Sequence, residues 1–369
     1  MKDPQDYQET MWMHKLVRFT HLDRLAKGIG INEKYAPLLY AIIAIVIMYA
    51  VTNSYELVTF GWADLVLRPI SALFIISVVT LGILGMIHLH RIYYDTLGYL
   101  FNNRRIARES KDELSVMIPA WAKKVLLGIW LLIAFLFSLS QWWAIKENPN
   151  LIGSRTLNQE FSGGYPVGIG VAIFYMAVIS PGAADLFTIF IGVLRLPTRI
   201  AKQISGRLDL LDPARCGGLR PIGVLAVQSS IVYFSAITMI NVLFMMGGGL
   251  PLGWILVFGI GWMIGICLFI IPLLNVHYYM KREKEKYLTK IIHDIKKARR
   301  KRSKTISGKM TTIEYRLHLM ELHLEYESAE KLQEYPFDTK ILRDVVFAAL
   351  LPLIVEVIYT FLKPIFGNG

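Results

Sequence analysis

Long apolar blocks alternate with charged or turn-forming segments along this chain. Apolar stretches near 36–58, 66–87, 124–145, 165–194, 219–247, 250–276 and 344–363 each approach or exceed the roughly 20 residues that a helix needs to cross a bilayer. This pattern predicts an all-α integral membrane protein with seven transmembrane helices. The sixth and seventh are separated by a polar segment that reads as a helical hairpin.

Charge then orients the chain. Seven crossings alternate the connecting segments between two sides. Of the 40 Lys and Arg residues, all but Arg68, Lys146, Arg155 and Lys363 fall on one side. Basic loops stay in the cytoplasm, so the expected topology is N-terminus inside and C-terminus outside. The organisation that follows has four parts. Residues 1–34 form an amphipathic cytoplasmic segment and 35–276 a six-span membrane domain. Residues 277–341 form a basic cytoplasmic hairpin, and 342–369 hold the seventh span and an outer terminus. The net charge of +12 is accounted for by this bias. Nucleic acid is not expected as a partner, because no aromatic platform is interleaved with the basic residues.

Before the first span, Trp12, Met13, Leu16, Phe19, Leu22 and Ala26 recur at helical spacing, with Lys15, Arg18, Arg24 and Lys27 flanking them. One surface helix over 10–27 is expected, stopping at Gly28. It is either a passive interfacial anchor or a part that moves with a gate.

The fourth apolar stretch is unusual. Pro181-Gly182 interrupts it and Asp185 follows. Proline removes a backbone hydrogen bond and bends a helix, and such breaks are tolerated in a membrane where they face protein or water. Asp185 is therefore a pathway candidate; the plainer account pairs it with Arg195 or Arg199. Glu356 in the seventh span is a second candidate, since a carboxylate at that depth costs several kcal/mol if it faces lipid. Gln228 and Asn241 on the fifth span are the nearest polar partners by depth. Residues 221–280 contain no Asp, Glu, Lys or Arg. Within them Gly261-x-x-x-Gly265 puts two small residues on one face, which favours close helix packing without naming the partner.

In the hairpin, Tyr287, Leu288, Ile291, Ile292, Ile295 and Ala298 make one apolar stripe, and Ile313, Leu317, Met320 and Leu324 a second. Thr311-x-x-Glu314 is a capping box for the return helix. Each stripe is too narrow to stand alone in water, so the helices are expected to pack on each other or on a neighbouring subunit. Thirteen basic residues between 281 and 309 face only Glu283, Glu285 and Asp294. Their core, Lys296, Lys297, Arg299, Arg300, Lys301 and Arg302, is the expected contact for anionic lipid headgroups.

One loop is motif-like: Asp209, Asp212, Arg215, Gly217, Gly218 and Arg220 precede the fifth span. Paired glycines permit positive φ, and the amides there could hold an anion or cap the next helix. Asp209-x-x-Asp212 resembles the paired aspartates of metal-dependent membrane lipid transferases, but the glycine after the second Asp is missing and no further carboxylate pair follows. The chain also lacks H-E-x-x-H, G-x-S-x-G and G-x-x-x-x-G-K. Cys216 and Cys267 have no metal-ligand neighbours at zinc spacing. No catalytic residue, metal or cofactor is assigned. The leading expectation is a non-enzymatic, homo-oligomeric membrane protein forming a pore or translocation path for ions or small solutes. The alternatives are a membrane-embedded lipid-modifying enzyme and a structural or sensory protein signalling through its hairpin.

Overall fold

The computed structural model describes residues 11–60, 69–102, 116–147, 172–203, 216, 218–246, 252–304 and 312–332, and a few positions between 343 and 354. Among these residues there is no strand; the structure is helical throughout. Its α-helices are α1 (Trp12–Phe19), α2 (Leu22–Gly28), α3 (Ala36–Phe60), α4 (Pro69–Asn102), α5 (Ala120–Glu147), α6 (Ser180–Gln203), α7 (Arg220–Met246), α8 (Leu252–Lys304) and α9 (Thr312–Glu330). A π-turn over Tyr175–Ile179 leads into α6.

Among the described residues, five helical segments are long and apolar enough to cross a membrane: Glu33–Val51, Ile76–Leu100, Ala172–Ile200, Arg220–Met239 and Gly259–Arg300. They are compatible with an integral membrane protein. The third apolar stretch of the sequence falls on α5, whereas most of the seventh, Glu356 included, lies outside the described residues. Large apolar side chains remain exposed on the outer flanks: Val46 and Ile47 on α3, Leu132 and Leu136 on α5, Ile260 and Met263 on α8. Faces of this kind are unfavourable in water and suit hydrocarbon.

The core lies between α4, α6, α7 and α8. Met86, Leu89 and Tyr93 meet Ile189, Phe190 and Val193, with Leu225, Phe234, Leu268 and Val276 completing the cluster. The small residues predicted on α8 find their partner here. A Cβ at Gly265 would lie 2.7 Å from Tyr233 Cδ1 and 2.8 Å from Phe234. The Tyr233 hydroxyl donates to the carbonyl of Gly261 at 2.8 Å. Glycine lets the α7 and α8 backbones approach, and one aromatic residue then ties them with a polar bond.

The break in the fourth stretch is compensated locally. Pro181 has no N–H for the carbonyl of Ala177, four residues earlier. The hydroxyl of Tyr40 on α3 donates to that same carbonyl at 3.2 Å. Ser180 Oγ donates to Tyr175 O at 3.0 Å and Trp130 O at 3.2 Å. The π-turn is thus stabilised by α3 and α5, in keeping with π-turns arising where the helical ladder is interrupted.

Two expectations change. The surface helix over 10–27 is two helices, because His21 adopts φ 55° between α1 and α2. The Thr20 hydroxyl satisfies the last carbonyls of α1, Leu16 O and Val17 O. The return helix of the hairpin also packs with a different face. The polar half of α8 and α9 run antiparallel, with Lys284 Nζ donating to Leu332 O and Tyr287 donating to Glu325. Their shared core is Ile291 and Ile295 against Leu322 and Ala329, with Tyr287, Leu288, Leu319 and Tyr326 around it. The stripe of Ile313, Leu317, Met320 and Leu324 points away from α8 and is exposed. α9 carries apolar residues on two faces, and α8 takes the one that holds Ala329.

Gly265→Ala is expected to destabilise the chain by about 1–3 kcal/mol, because two packed rings must shift. Gly259→Ala, with nothing within 4 Å of the added Cβ, is expected to be neutral. Thermal unfolding midpoints of the two variants in detergent distinguish them.

Candidate functional site

The most unusual chemistry in the described residues is a buried polar layer where α1 docks on the bundle. Asp185 lies on α6, about 20 Å along the helical axis from Ala172 at 1.5 Å per residue. Only 3 % of its surface is exposed. Its two carboxylate oxygens accept the first two amides of α1: Trp12 N–H donates to Oδ1 and Met13 N–H to Oδ2, both at 2.9 Å. Met11, at the N-cap position of α1, provides no side-chain cap. Asp185 therefore caps a helix more than 170 residues away in sequence. The negative carboxylate meets the positive end of the α1 dipole.

This replaces the expected pairing with Arg195 or Arg199. The Arg199 guanidinium instead donates to Val116 O at 2.6 Å, which ties α6 to the segment before α5. Two ammonium groups act electrostatically on Asp185: Lys123 at the start of α5 and Lys15 on α1. Lys15 also sits over the Trp12 ring at 4.3 Å.

Two histidines complete the layer. His14 on α1 is 8 % exposed and His90 on α4 is 6 % exposed. His90 lies within the electrostatic reach of His14 and Lys123. Both ring nitrogens of His14, Nε2 of His90 and Nε1 of Trp12 have no hydrogen-bond partner among the described residues. The His90 ring stands edge-on to Tyr94, with 4.9 Å between centroids. Burial, assisted by the positive charge of Arg18, pushes the His14 imidazole down to about 4. It is therefore neutral at physiological pH. No group of three or more His, Cys, Asp or Glu side chains among the described residues is arranged to hold a metal ion.

The other predicted residues fall elsewhere. Gln228 on α7 lies 3.4 Å from His88 Nε2. Asn241 is buried, and its Oδ1 has no partner among the described residues. Asp209, Asp212, Arg215 and Gly217 lie outside the described residues, as does Glu356. Gly218 has φ 80°, and the Leu219 amide donates to Cys216 O at 3.0 Å. That turn feeds α7, whose first residue, Arg220, is exposed. Lys296, Lys297, Arg299 and Arg300 are exposed along α8; Lys301 and Arg302 belong to the same helix, and their side chains lie outside the described set.

Sequence reasoning found Asp185 but not its neighbours. Neither His14 nor His90 stands out in the sequence, since a lone histidine beside an apolar face carries no motif. The available signal was spacing: His14 adjoins Met13 and precedes Val17 by three residues, on the edge of the apolar face.

No protein-family model matches the chain, and neither the curated proteins nor the solved structures contain a match.

Asp185→Ala leaves the first amides of α1 uncapped. Loss of a cap costs about 0.5–2 kcal/mol, so exchange at the Trp12 and Met13 amides is expected to rise by roughly 2- to 30-fold. Hydrogen exchange read by mass spectrometry measures this. The second expectation concerns pH. Undocked His14 titrates at the ordinary value of 6.5 and docked His14 at about 4. Between these values the undocked state binds more protons, so docking weakens as pH falls through the window and is fully stable above it. The change is on the order of 3 kcal/mol in full. Protection factors in α1, taken relative to the intrinsic exchange rate at each pH, should fall on going from about pH 7.5 to about pH 5, and His14→Phe should flatten that dependence.

Proposed function

We propose that the chain is a multi-pass membrane protein that forms a pore or translocation path for ions or small solutes as a homo-oligomer. In this reading it has seven crossings, an N-terminus and basic segments in the cytoplasm, and an outer C-terminus. The observation that carries the reading is the buried layer of Asp185, His14 and His90 among apolar helices, closed on one side by a short separate helix. Ionisable groups buried among membrane helices are a usual mark of ion and substrate pathways. The α1 helix acts as a plug: docked, its amides occupy the Asp185 carboxylate; undocked, the carboxylate and His90 become available to a permeating species. Asn241 and Gln228 on α7 and Glu356 in the seventh span extend the polar path.

The tract Lys296–Arg302 is proposed as a contact for anionic headgroups. It begins roughly 24 Å along α8 from Met280, beyond the Debye length of about 8 Å at physiological salt. The contact therefore requires α8 to leave the bilayer obliquely.

Purified full-length chain in liposomes tests the pathway. Potassium, sodium and proton flux above protein-free liposomes is expected. Met13→Glu, which expels α1 from its dock and leaves the Asp185 carboxylate in place, should raise flux. Liposomes that remain tight with both proteins would overturn the reading.

A further inference from the structure

The outward face of α9 carries a row of exposed apolar side chains. Ile313, Leu317, Met320 and Leu324 are 71 %, 61 %, 60 % and 55 % exposed. Their spacing of four, three and four residues is that of alternating d and a positions in a heptad, with Ile313 and Met320 at d and Leu317 and Leu324 at a. The opposite face of α9 is already committed to α8 through Leu319, Leu322, Tyr326 and Ala329. The exposed stripe is thus not spare surface of an unpacked helix; α9 is held in place and presents it.

We propose that a second copy of this chain covers the stripe, with the two α9 helices parallel. Charge beside the seam selects this occupant. In the same register Arg316 is a g position and Glu321 an e position, and in a parallel pair g meets the e′ position five residues on. Arg316 of each copy therefore faces Glu321 of the other, twice per pair. An antiparallel pair would set Glu314 and Glu321 against each other or themselves, since both are e positions. Copies inserted in one membrane share one orientation, and a symmetry axis along the membrane normal brings their α9 helices together running the same way. The rest of α9 argues against a lipid occupant: Glu314, Glu321, Glu325, Glu327 and Glu330 oppose only Arg316, and anionic headgroups repel such a face. The inference deepens the oligomer in the proposed function by locating its contact, and it rests on the membrane reading for the shared orientation.

Cysteine cross-linking of the full-length chain in membranes tests it. In a Cys216→Ala, Cys267→Ala background, Met320→Cys should form a disulfide-linked species of two chains under mild oxidant. His318→Cys, two positions away and exposed, should not. Arg316→Glu should reduce the Met320→Cys product, and Arg316→Glu with Glu321→Arg should restore it. Leu317→Lys with Met320→Lys, both at exposed positions, should lower the mass of the purified chain by light scattering. Equal cross-linking at 318 and 320, no cross-linking at 320, or an unchanged mass for the double-Lys variant would each overturn the proposal. Cross-linking at 320 in a chain that gives no liposome flux would leave the seam standing and remove only the transport reading.

Discussion

The carboxylate of Asp185 joins the N-terminal segment to the rest of the molecule. A buried carboxylate needs hydrogen bonds on both oxygens, and a helix start needs acceptors for its first amides. Each requirement here answers the other. Because α1 begins at that point, Met13 and Val17 are aimed into the protein and His14 is carried inward with them. The orphaned ring nitrogens of His14 and His90 follow from the same docking. Leaving a buried polar group unsatisfied costs about 1–3 kcal/mol, so the docking of α1 carries that cost at the imidazoles that have no partner among the described residues.

The broken fourth helix depends on neighbours in a comparable way. Pro181 disrupts the backbone just before Asp185, and the freed Ala177 carbonyl is satisfied by Tyr40 from α3. Ser180 reaches Trp130 on α5. An interrupted hydrogen-bond ladder and a charge are therefore placed within a few residues of each other and supported from three elements. That concentration supports a site over an accidental kink, because irregular backbone in a membrane persists only where protein or water satisfies it. The remainder of the bundle is close packing: Gly265 against Tyr233 and Phe234, Gly192 against Met117, and Gly85 against Val232.

The polar hairpin follows a different principle. It extends a membrane-type helix without interruption, so the basic half of α8 and the acidic α9 form a stalk with opposite charge on its two arms. Pairing those arms uses one apolar face of α9 and leaves the other outward. In the proposed assembly the membrane fixes the orientation of the copies, and the stalk supplies a contact in water where the hydrophobic effect operates at full strength.

By itself the sequence determined the helical class and the apolar blocks and singled out Asp185 as an acid inside an apolar segment, because length, hydropathy and a lone acid are properties of a segment. It also signalled a break at Pro181 and close packing at Gly261 and Gly265. It did not determine which groups those features meet. The split at His21 needed a positive φ that no spacing announces. The choice of face on α9 was undecidable from periodicity, since both faces carry apolar residues at helical spacing and only the position of α8 selects one. The partners of Asp185 were invisible for a sharper reason: they are backbone amides, which every residue possesses, and contact across more than 170 positions leaves no trace in local pattern. Only the tertiary structure decides which helix start comes to rest on that carboxylate.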